Sequence, residues 1–231
     1  MSDEIVDHAA VTSTLSSDRV QAALARLQAD GKAEDESYKR QVNARESELG
    51  AKFYGRERAE LGATAPLSIA PEVGHLLYAL TLAARPTLIV EFGASLGVST
   101  IYLASALRDI GGGSIITTEL LPDKAKHAAE NLGDAGLGDL VDIRSGDALD
   151  SLSSIDGKVD LLFLDGSNDL YLPVLELVEP HLSTRAFVVA DMSHDEPHHV
   201  RYRDHVSRRY LTTEIPLDAG LVISAASQAT I

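Results

Sequence analysis

The residue types most suited to chemistry first occur together in the segment Val90-Glu91-Phe92-Gly93-Ala94-Ser95-Leu96-Gly97. Two glycines in such a turn would let the backbone approach a ligand closely. The dinucleotide fingerprint G-x-G-x-x-G needs three glycines, whereas Ser95 and Val98 occupy the other two positions. The turn therefore disfavours NAD and favours a cofactor without a pyrophosphate. Close packing of a helix on a strand is the alternative explanation of the two glycines.

Two further acids follow the next predicted strands. Glu119 ends the second strand, where a carboxylate can accept hydrogen bonds from both hydroxyls of a ribose. Asp147 follows the third strand, where it could accept a proton from an adenine amino group or cap the next helix. Together with Glu91 and the glycine turn, Glu119 suggests a cofactor that contains a nucleoside.

The elements that position these residues follow an alternating pattern from Thr87 onward. Short apolar β-branched runs alternate with helical patterns, which indicates βαβ units around a parallel sheet. The predicted strands are TLIVEFG, SIITTEL, VDIRSG, VDLLFLDG and RAFVVAD, and the predicted helices span 98–109, 122–136, 148–154, 169–182 and 197–209. Two further β-like runs joined by a turn at 217–220 predict a closing antiparallel hairpin.

Residues 1–62 are predicted to form a helical N-terminal extension, and residues 63–231 the main domain. Val20, Leu24 and Leu27 recur at helical spacing, after which the segment is almost wholly charged. The extension is either a solvated helical surface or a cap or dimerisation arm that contributes to a pocket.

Composition excludes several function classes. The chain has 231 residues and 24.6 kDa, which fits one α/β domain, and its net charge of -15 would repel a nucleic acid backbone. The absence of cysteine excludes disulfides, thiolate metal sites and cysteine nucleophiles. There is no apolar run of roughly 18 residues, and the polar start MSDEIVDHAA does not resemble a secretory signal. We therefore expect a cytoplasmic protein without a membrane or nucleic acid partner.

At this point the chain resembles the class I S-adenosylmethionine-dependent O-methyltransferases, in the small-molecule branch that includes catechol O-methyltransferase and its bacterial relatives. The resemblance covers about residues 66–225. It is carried by the stretches SIAPEVGHLLY, IVEFGASLGVSTIYLASAL, GGGSIITTEL, GDALDSL, VDLLFLDGSNDLYLPVLELVEPHL, VVAD and IPLDAGLVIS. The resemblance implies a Rossmann-like fold with a seven-stranded, mostly parallel sheet, S-adenosylmethionine as cofactor, and a homodimer.

The resemblance also implies residue roles in the cofactor site. The methionine moiety would be surrounded by Glu91, Gly93, Gly97 and Ser99, the ribose by Glu119, and the adenine by Asp147 and Ala148, with Asp165 also at the cofactor.

The metal site of the catechol-type relatives is only partly present. In those relatives two Asp and an adjacent Asn hold Mg²⁺, and a Lys acts as the base. Asp165 and Asp191 match the two Asp, but Met192 replaces the Asn, and a thioether is a poor ligand for Mg²⁺. Asn168 stands where relatives carry the Lys, and an amide cannot take up a proton near neutral pH. Use of Mg²⁺ is therefore uncertain, although Asp165 and Asp191 are still expected at the catalytic centre.

Histidines directly after Met192 provide another candidate base. His194 is the first choice because it is closest to the strand end, and His198 is the second. The alternatives are a solvated loop in which the histidines face water, or a transition-metal site formed by Asp165, Asp191 and His194.

The predicted function is methyl transfer to a hydroxyl of a small phenolic or secondary-metabolite acceptor, with a degenerate metal site. One alternative is an N-methyltransferase on the same fold, because a neutral amine needs no metal. The other is a cofactor-binding protein that no longer transfers methyl groups, as the residues Met192 and Asn168 would suggest.

Overall fold

The computed structural model describes residues 13–192 and 197–226, which form one twisted sheet with helices on both faces. The strands are β1 (Leu88–Phe92), β2 (Ser114–Glu119), β3 (Val141–Ser145), β4 (Val159–Leu164), β5 (Leu182–Asp191), β6 (Leu211–Ile215) and β7 (Leu221–Ala225). The helices are α1 (Asp18–Leu49), α2 (Gly55–Leu61), α3 (Pro71–Ala84), α4 (Val98–Ile110), α5 (Pro122–Ala135), α6 (Ala148–Ser151), α7 (Tyr171–Val178) and α8 (Pro197–Arg209).

The strand order is β3-β2-β1-β4-β5-β7-β6. Neighbours from β3 to β5 are parallel, whereas β7 is antiparallel to both β5 and β6. The predicted seven-stranded, mostly parallel sheet with a closing antiparallel hairpin is therefore confirmed. The chain runs outward from β1 to β3 and then returns to the other side of β1 at β4, so the sheet has its topological switch point beside β1.

Alternate strand residues supply two separate hydrophobic clusters, one on each face of the sheet. Ile89 and Leu161 face the cluster under α3, α4 and α5, whereas Val90 and Leu162 face the cluster under α6, α7 and α8. Burial on both faces explains why these strands are continuous apolar runs rather than alternating patterns.

The N-terminal helix packs directly against the sheet domain. Val20, Leu24 and Leu27 belong to the same hydrophobic cluster as α3 and α4. Arg19 donates hydrogen bonds to the carbonyl groups of Gly133 and Asp134 at the end of α5. The division of the chain at residue 62 stays a prediction.

Two predicted helices were too long. The 148–154 helix is only the single turn α6, and the 169–182 helix is α7 with a 3-10 turn at each end. Pro180 has no amide hydrogen to continue α7, so the chain leaves the helix there and enters β5. No helix in the described part of the chain is both long enough and apolar enough to span a bilayer.

Candidate functional site

A cavity opens at the carboxyl ends of β1, β2 and β4, next to the switch point of the sheet. This is where open α/β sheets bind their ligands, because the loops on the two sides diverge there. The loops after these three strands form its floor, and the N-terminal helices with the segment before α3 form its roof. Its lining residues include Tyr38, Arg58, Pro66, Ser95, Glu119 and Asp165.

The glycine turn after β1 has the geometry that the sequence suggested. Gly93 has φ +99°, and a Cβ atom there would lie 2.6 Å from the carbonyl oxygen of Asp165. Gly97 has φ +90° and is the N-terminal cap of α4. The amide groups of Gly93 and Ala94 both donate to the carbonyl of Thr118, which fixes the turn against β2. A side chain at residue 93 would therefore strain the backbone and collide with the loop after β4.

Glu91 lies below this turn and is not part of the cavity wall as described. Its side chain is fully buried, and the hydroxyls of Ser99, Thr100 and Thr117 donate to its carboxylate at 2.6–2.7 Å. The pKa of Glu91 is raised overall, because the effect of burial exceeds the lowering by these three hydrogen bonds. Of these residues Ser99 also lines the cavity, so Glu91 is positioned to hold the start of α4 in place.

Glu119 lies in the cavity wall at the end of β2. Its two carboxylate oxygens accept hydrogen bonds from the backbone amides of Ser95 and Leu121, both at 2.9 Å. Each oxygen can accept a further hydrogen bond, so both remain suited to a pair of ribose hydroxyls. The pKa of Glu119 is raised overall, because the effect of burial exceeds the lowering by the backbone amides and nearby Lys124.

The loop after β3 is more distant from the cavity wall. Asp147 caps α6, because its Oδ1 atom accepts a hydrogen bond from the amide of Leu149 at 2.8 Å. Ala148 is buried, and neither residue lines the cavity. The cap is thus observed, and the adenine-binding role of the two residues stays a prediction.

Two aspartates follow β4 and β5 at the same sheet edge. Asp165 lines the cavity, and burial together with nearby Asp191 raises its pKa well above the ordinary value. Burial and nearby Asp218, in the turn before β7, raise the pKa of Asp191 to about 6. Like charges that share a site disfavour ionisation, so this carboxylate pair retains protons more strongly than isolated aspartates do.

These residues do not fit the Mg²⁺ site of the catechol-type relatives. The side chain of Met192 is 1% exposed and packs in the hydrophobic cluster beneath α7 and α8. It therefore supplies no ligand and points away from the cleft. Across 13–192 and 197–226, no group of three or more His, Cys, Asp or Glu is arranged to hold a metal ion. Asn168, at the position where the resemblance implied a Lys, lines the cavity.

The candidate histidines are only partly described. His194 lies outside the described residues, so its role as a base stays a prediction. His198 is half-buried at the start of α8, with its ring edge-on to Tyr54 at 4.8 Å, and it is not among the residues that line the cavity. His199 is fully buried against the Tyr171 ring.

Sequence reasoning missed Lys124 and the roof residues. Lys124 lines the cavity although it is only 4% exposed, and its Nζ atom lies 3.0 Å from Ser95 Oγ. One signal was available, because Lys124 shares a helical face with the buried residues Ala128 and Asn131. Tyr38 and Arg58 reach the cavity through the fold of the N-terminal segment, which no local pattern encodes.

Comparison with known proteins agrees with this geometry. Residues 90–193 match a family described as a methyltransferase domain. A catechol O-methyltransferase of Niastella koreensis is 36% identical over 117 residues, which are 49% of this chain and 52% of that protein. The chain thus matches about half the length of this curated relative.

Solved structures show the same fold. The O-methyltransferase TomG of Streptomyces achromogenes, in complex with SAM, aligns with a TM-score of 0.64 at 24% identity, over 70% of this chain and 82% of that one. The O-methyltransferase of Bacillus cereus, in complex with SAH, aligns with a TM-score of 0.65 at 23% identity, over 73% and 86% of the two chains. The predicted resemblance to class I S-adenosylmethionine-dependent O-methyltransferases is confirmed.

Proposed function

We propose that this chain, which carries a class I methyltransferase domain, transfers a methyl group from S-adenosylmethionine to a hydroxyl of a small acceptor. The main support is the cavity at the switch point, where the Gly93 turn and the carboxylate of Glu119 lie side by side. A turn without a third glycine and a ribose-binding acid suit a nucleoside cofactor that has no pyrophosphate.

The cofactor would be held mainly by the loops after β1 and β2. S-adenosylmethionine supplies an electrophilic methyl group when bound. Gly93 and Gly97 allow the backbone to approach the methionine moiety next to Ser99, and Glu119 accepts the ribose hydroxyls. Glu91 supports this wall from below. Asp147 and Ala148 are the proposed adenine contacts.

The acceptor hydroxyl must lose its proton as the new bond forms, because a phenol with a pKa of about 10 is protonated at neutral pH. Asp165 is the described carboxylate best placed to take this proton, since it lines the cavity. Burial and Asp191 raise the pKa of Asp165, which makes it a stronger base than an ordinary aspartate. His194 is the proposed second base.

The acceptor would meet the N-terminal helices. Tyr38 of α1 and Arg58 and Ala59 of α2 line the same cavity as the cofactor residues. An aromatic acceptor suits this wall, because Tyr38 and the Arg58 guanidinium both offer flat surfaces and hydrogen-bonding groups. This arrangement favours the cap among the two roles considered for the extension.

We propose that this reaction proceeds without Mg²⁺, since Met192 cannot complete the ligand set of Asp165 and Asp191. We also propose a homodimer and a cytoplasmic location, both from the sequence. Light scattering on the purified protein tests the dimer, and fractionation of the source cells tests the location.

The proposed function is tested first by titration calorimetry. S-adenosylhomocysteine is titrated in EDTA and again with Mg²⁺, with NAD as the comparison ligand. We expect micromolar binding of S-adenosylhomocysteine in EDTA and none of NAD, with Kd on the order of 1–100 μM. If S-adenosylhomocysteine fails to bind under both conditions, the methyltransferase proposal is wrong.

Product mass spectrometry then identifies the acceptor atom. Matched pairs of phenols and anilines are incubated with S-adenosylmethionine, and methylated products are measured for each pair. Methylation of the phenols supports the proposal, and methylation of the anilines alone supports the N-methyltransferase alternative. Cofactor binding without any methylated product supports the non-catalytic alternative.

A further inference from the structure

Lys124 is a buried cation in the wall of the cavity, with Ser95 as its hydrogen-bond partner. It lies in the first turn of α5, is 4% exposed, and its Nζ atom donates to Ser95 Oγ at 3.0 Å. The pKa of Lys124 is lowered overall by burial, and nearby Glu119 of β2 and Asp35 of α1 partly offset this change. Burying an ammonium group is costly unless the group interacts with a nearby opposite charge. The burial of Lys124 near these two acids therefore requires an explanation.

Ser95 connects Lys124 to the glycine turn after β1. Its backbone has φ +47°, a left-handed conformation that a non-glycine residue rarely adopts. The Ser95 amide donates to Glu119 at 2.9 Å, and its hydroxyl donates to the carbonyl of Pro66. Lys124 therefore contacts the hydroxyl of Ser95. Ser95 in turn contacts both Glu119 and Pro66 in the roof of the cavity.

Pro66 belongs to the segment 65–69, here termed the cap loop, which α1 holds from the other side. The amide of Leu67 donates to Asp35 Oδ1 at 2.9 Å. Gly31 of α1 packs so closely on the Pro66 ring that a Cβ atom would lie 2.1 Å from it. The cap loop is thus fixed between α1 and the glycine turn, and Lys124 lies where these contacts meet.

We propose that Lys124 is a positioning residue for the cofactor: through its hydrogen bond to Ser95 it fastens the cap loop to the glycine turn, and its nearby charge favours the form of Glu119 that accepts hydrogen bonds from the ribose hydroxyls. This inference rests on the proposed function, because it assumes that Glu119 binds the ribose. Without the lysine, a largely buried carboxylate would have only backbone amides to stabilise its charge.

The charges around Glu119 support this assignment. Lys124 is the cation that lowers the pKa of Glu119, together with the amides of Ser95 and Leu121. Asp35 faces Lys124 from α1. Asp165 after β4 and Arg58 of α2 line the same cavity. Loss of Lys124 removes a cation that lowers the pKa of Glu119, so Glu119 would take up a proton at a higher pH.

The test is the pH dependence of S-adenosylhomocysteine binding in EDTA, measured by calorimetry from about pH 5 to about pH 8. The proteins are the wild type, Lys124→Met, Lys124→Arg and Lys126→Met. Lys126 lies two residues further along α5 with an exposed side chain, so its variant controls for the loss of a positive charge.

We expect Lys124→Met to bind about tenfold more weakly than wild type near the acidic end of this range and to regain most of that loss near its alkaline end, as Glu119 ionises. Lys124→Arg should restore binding to within about threefold, and Lys126→Met should match the wild type. A lysine that merely supports the fold would change thermal stability without making affinity more pH-dependent than in the wild type.

The outcomes separate the two proposals. If the wild type does not bind S-adenosylhomocysteine, the proposed function is wrong and this inference falls with it. If the wild type binds and Lys124→Met binds equally well at every pH, only the role of Lys124 is wrong. Should Lys124→Met fail to fold, Ser95→Ala replaces it, because it removes the hydroxyl that contacts both Lys124 and Pro66. We expect about fivefold weaker binding for Ser95→Ala, and unchanged binding would overturn the inference.

Discussion

The loops after β1 and β2 differ from the loops after β4 and β5, although all four lie at one edge of the sheet. In the first pair, Glu119 accepts hydrogen bonds from two backbone amides and has a cation nearby. In the second pair, burial and Asp191 raise the pKa of Asp165, burial and Asp218 raise the pKa of Asp191, and Met192 is buried in the core. The first pair therefore presents an acid held by backbone amides, as the proposed cofactor site requires, whereas the second pair lacks the complete ligand set that the resemblance implied.

This difference shows which parts of the site tolerate substitution. Cofactor binding depends on backbone conformation and close approach, so a residue such as Gly93 has few replacements. Activation of a hydroxyl can be done by a metal or by a base, so one ligand can be lost when another group accepts the proton. The following predictions test whether the two sides are separable in this way.

The largest effect is expected for Gly93→Ala. A Cβ atom at φ +99° and 2.6 Å from the Asp165 carbonyl oxygen must displace the turn. We expect the Kd of S-adenosylhomocysteine to rise about 100-fold by calorimetry, because the turn and the loop after β4 would move apart.

Gly111→Ala is the matched control for Gly93→Ala. Gly111 has φ +90° at the end of α4, but nothing lies within 4 Å of its added Cβ. It should lower the free energy of unfolding by about 1 kcal/mol and leave cofactor affinity unchanged. Equal affinity losses in the two variants would show that backbone strain alone, and not contact with the site, is responsible.

Met192→Asn should be the next largest change, and it should act on stability. The side chain is 1% exposed in a hydrophobic cluster, so an amide would be buried there and a cavity left behind. We expect the free energy of unfolding in urea to fall by about 2 kcal/mol, compared with at most about 1 kcal/mol for Met192→Leu. A stable Met192→Asn protein with tight Mg²⁺ binding would mean that residue 192 can turn toward the cleft.

Asp191→Asn should stabilise the protein above about pH 6. The folded protein has an Asp191 pKa of about 6, above the unfolded value of about 3.9. Ionising Asp191 therefore costs stability as pH rises between these two values, and asparagine avoids that cost. We expect a gain of about 1–2 kcal/mol in the free energy of unfolding near pH 7 relative to pH 4, after allowance for solvent screening.

The control for Asp191→Asn is Asp156→Asn, which removes a charge from an exposed position. A gain for Asp191→Asn that is the same at both pH values, or that matches the control, would contradict a raised pKa of Asp191 in the folded protein.

The smallest effect is expected from a chelator. Because Met192 supplies no ligand, EDTA should change the rate of methyl transfer by less than about twofold. The rate is measured by product mass spectrometry on an acceptor found active. Loss of activity in EDTA that Mg²⁺ restores would show that both sides of the site have kept the mechanism of the relatives.

The sequence by itself determined the α/β class, the parallel strands and the glycine turn. These features depend on local periodicity and on positions such as Gly97, where a helix begins after a residue with positive φ. It also indicated that the ligand set implied by the resemblance is incomplete, because Met192 and Asn168 are visible as residue types. The lengths of α6 and α7 were less well predicted, since helix ends depend on how the next element packs.

Only the tertiary structure decided which residues surround the glycine turn. Tyr38 and Arg58 are distant from Gly93 in the chain and reach the cavity because α1 packs on α5 and the sheet domain. Lys124 appeared as one charge among several on a helix, whereas its burial next to Ser95, with Glu119 and Asp35 influencing its pKa, depends on separate elements. Periodicity reports which face of an element is apolar. The environment of a charged side chain is set by contacts between elements far apart in sequence, which no local pattern contains.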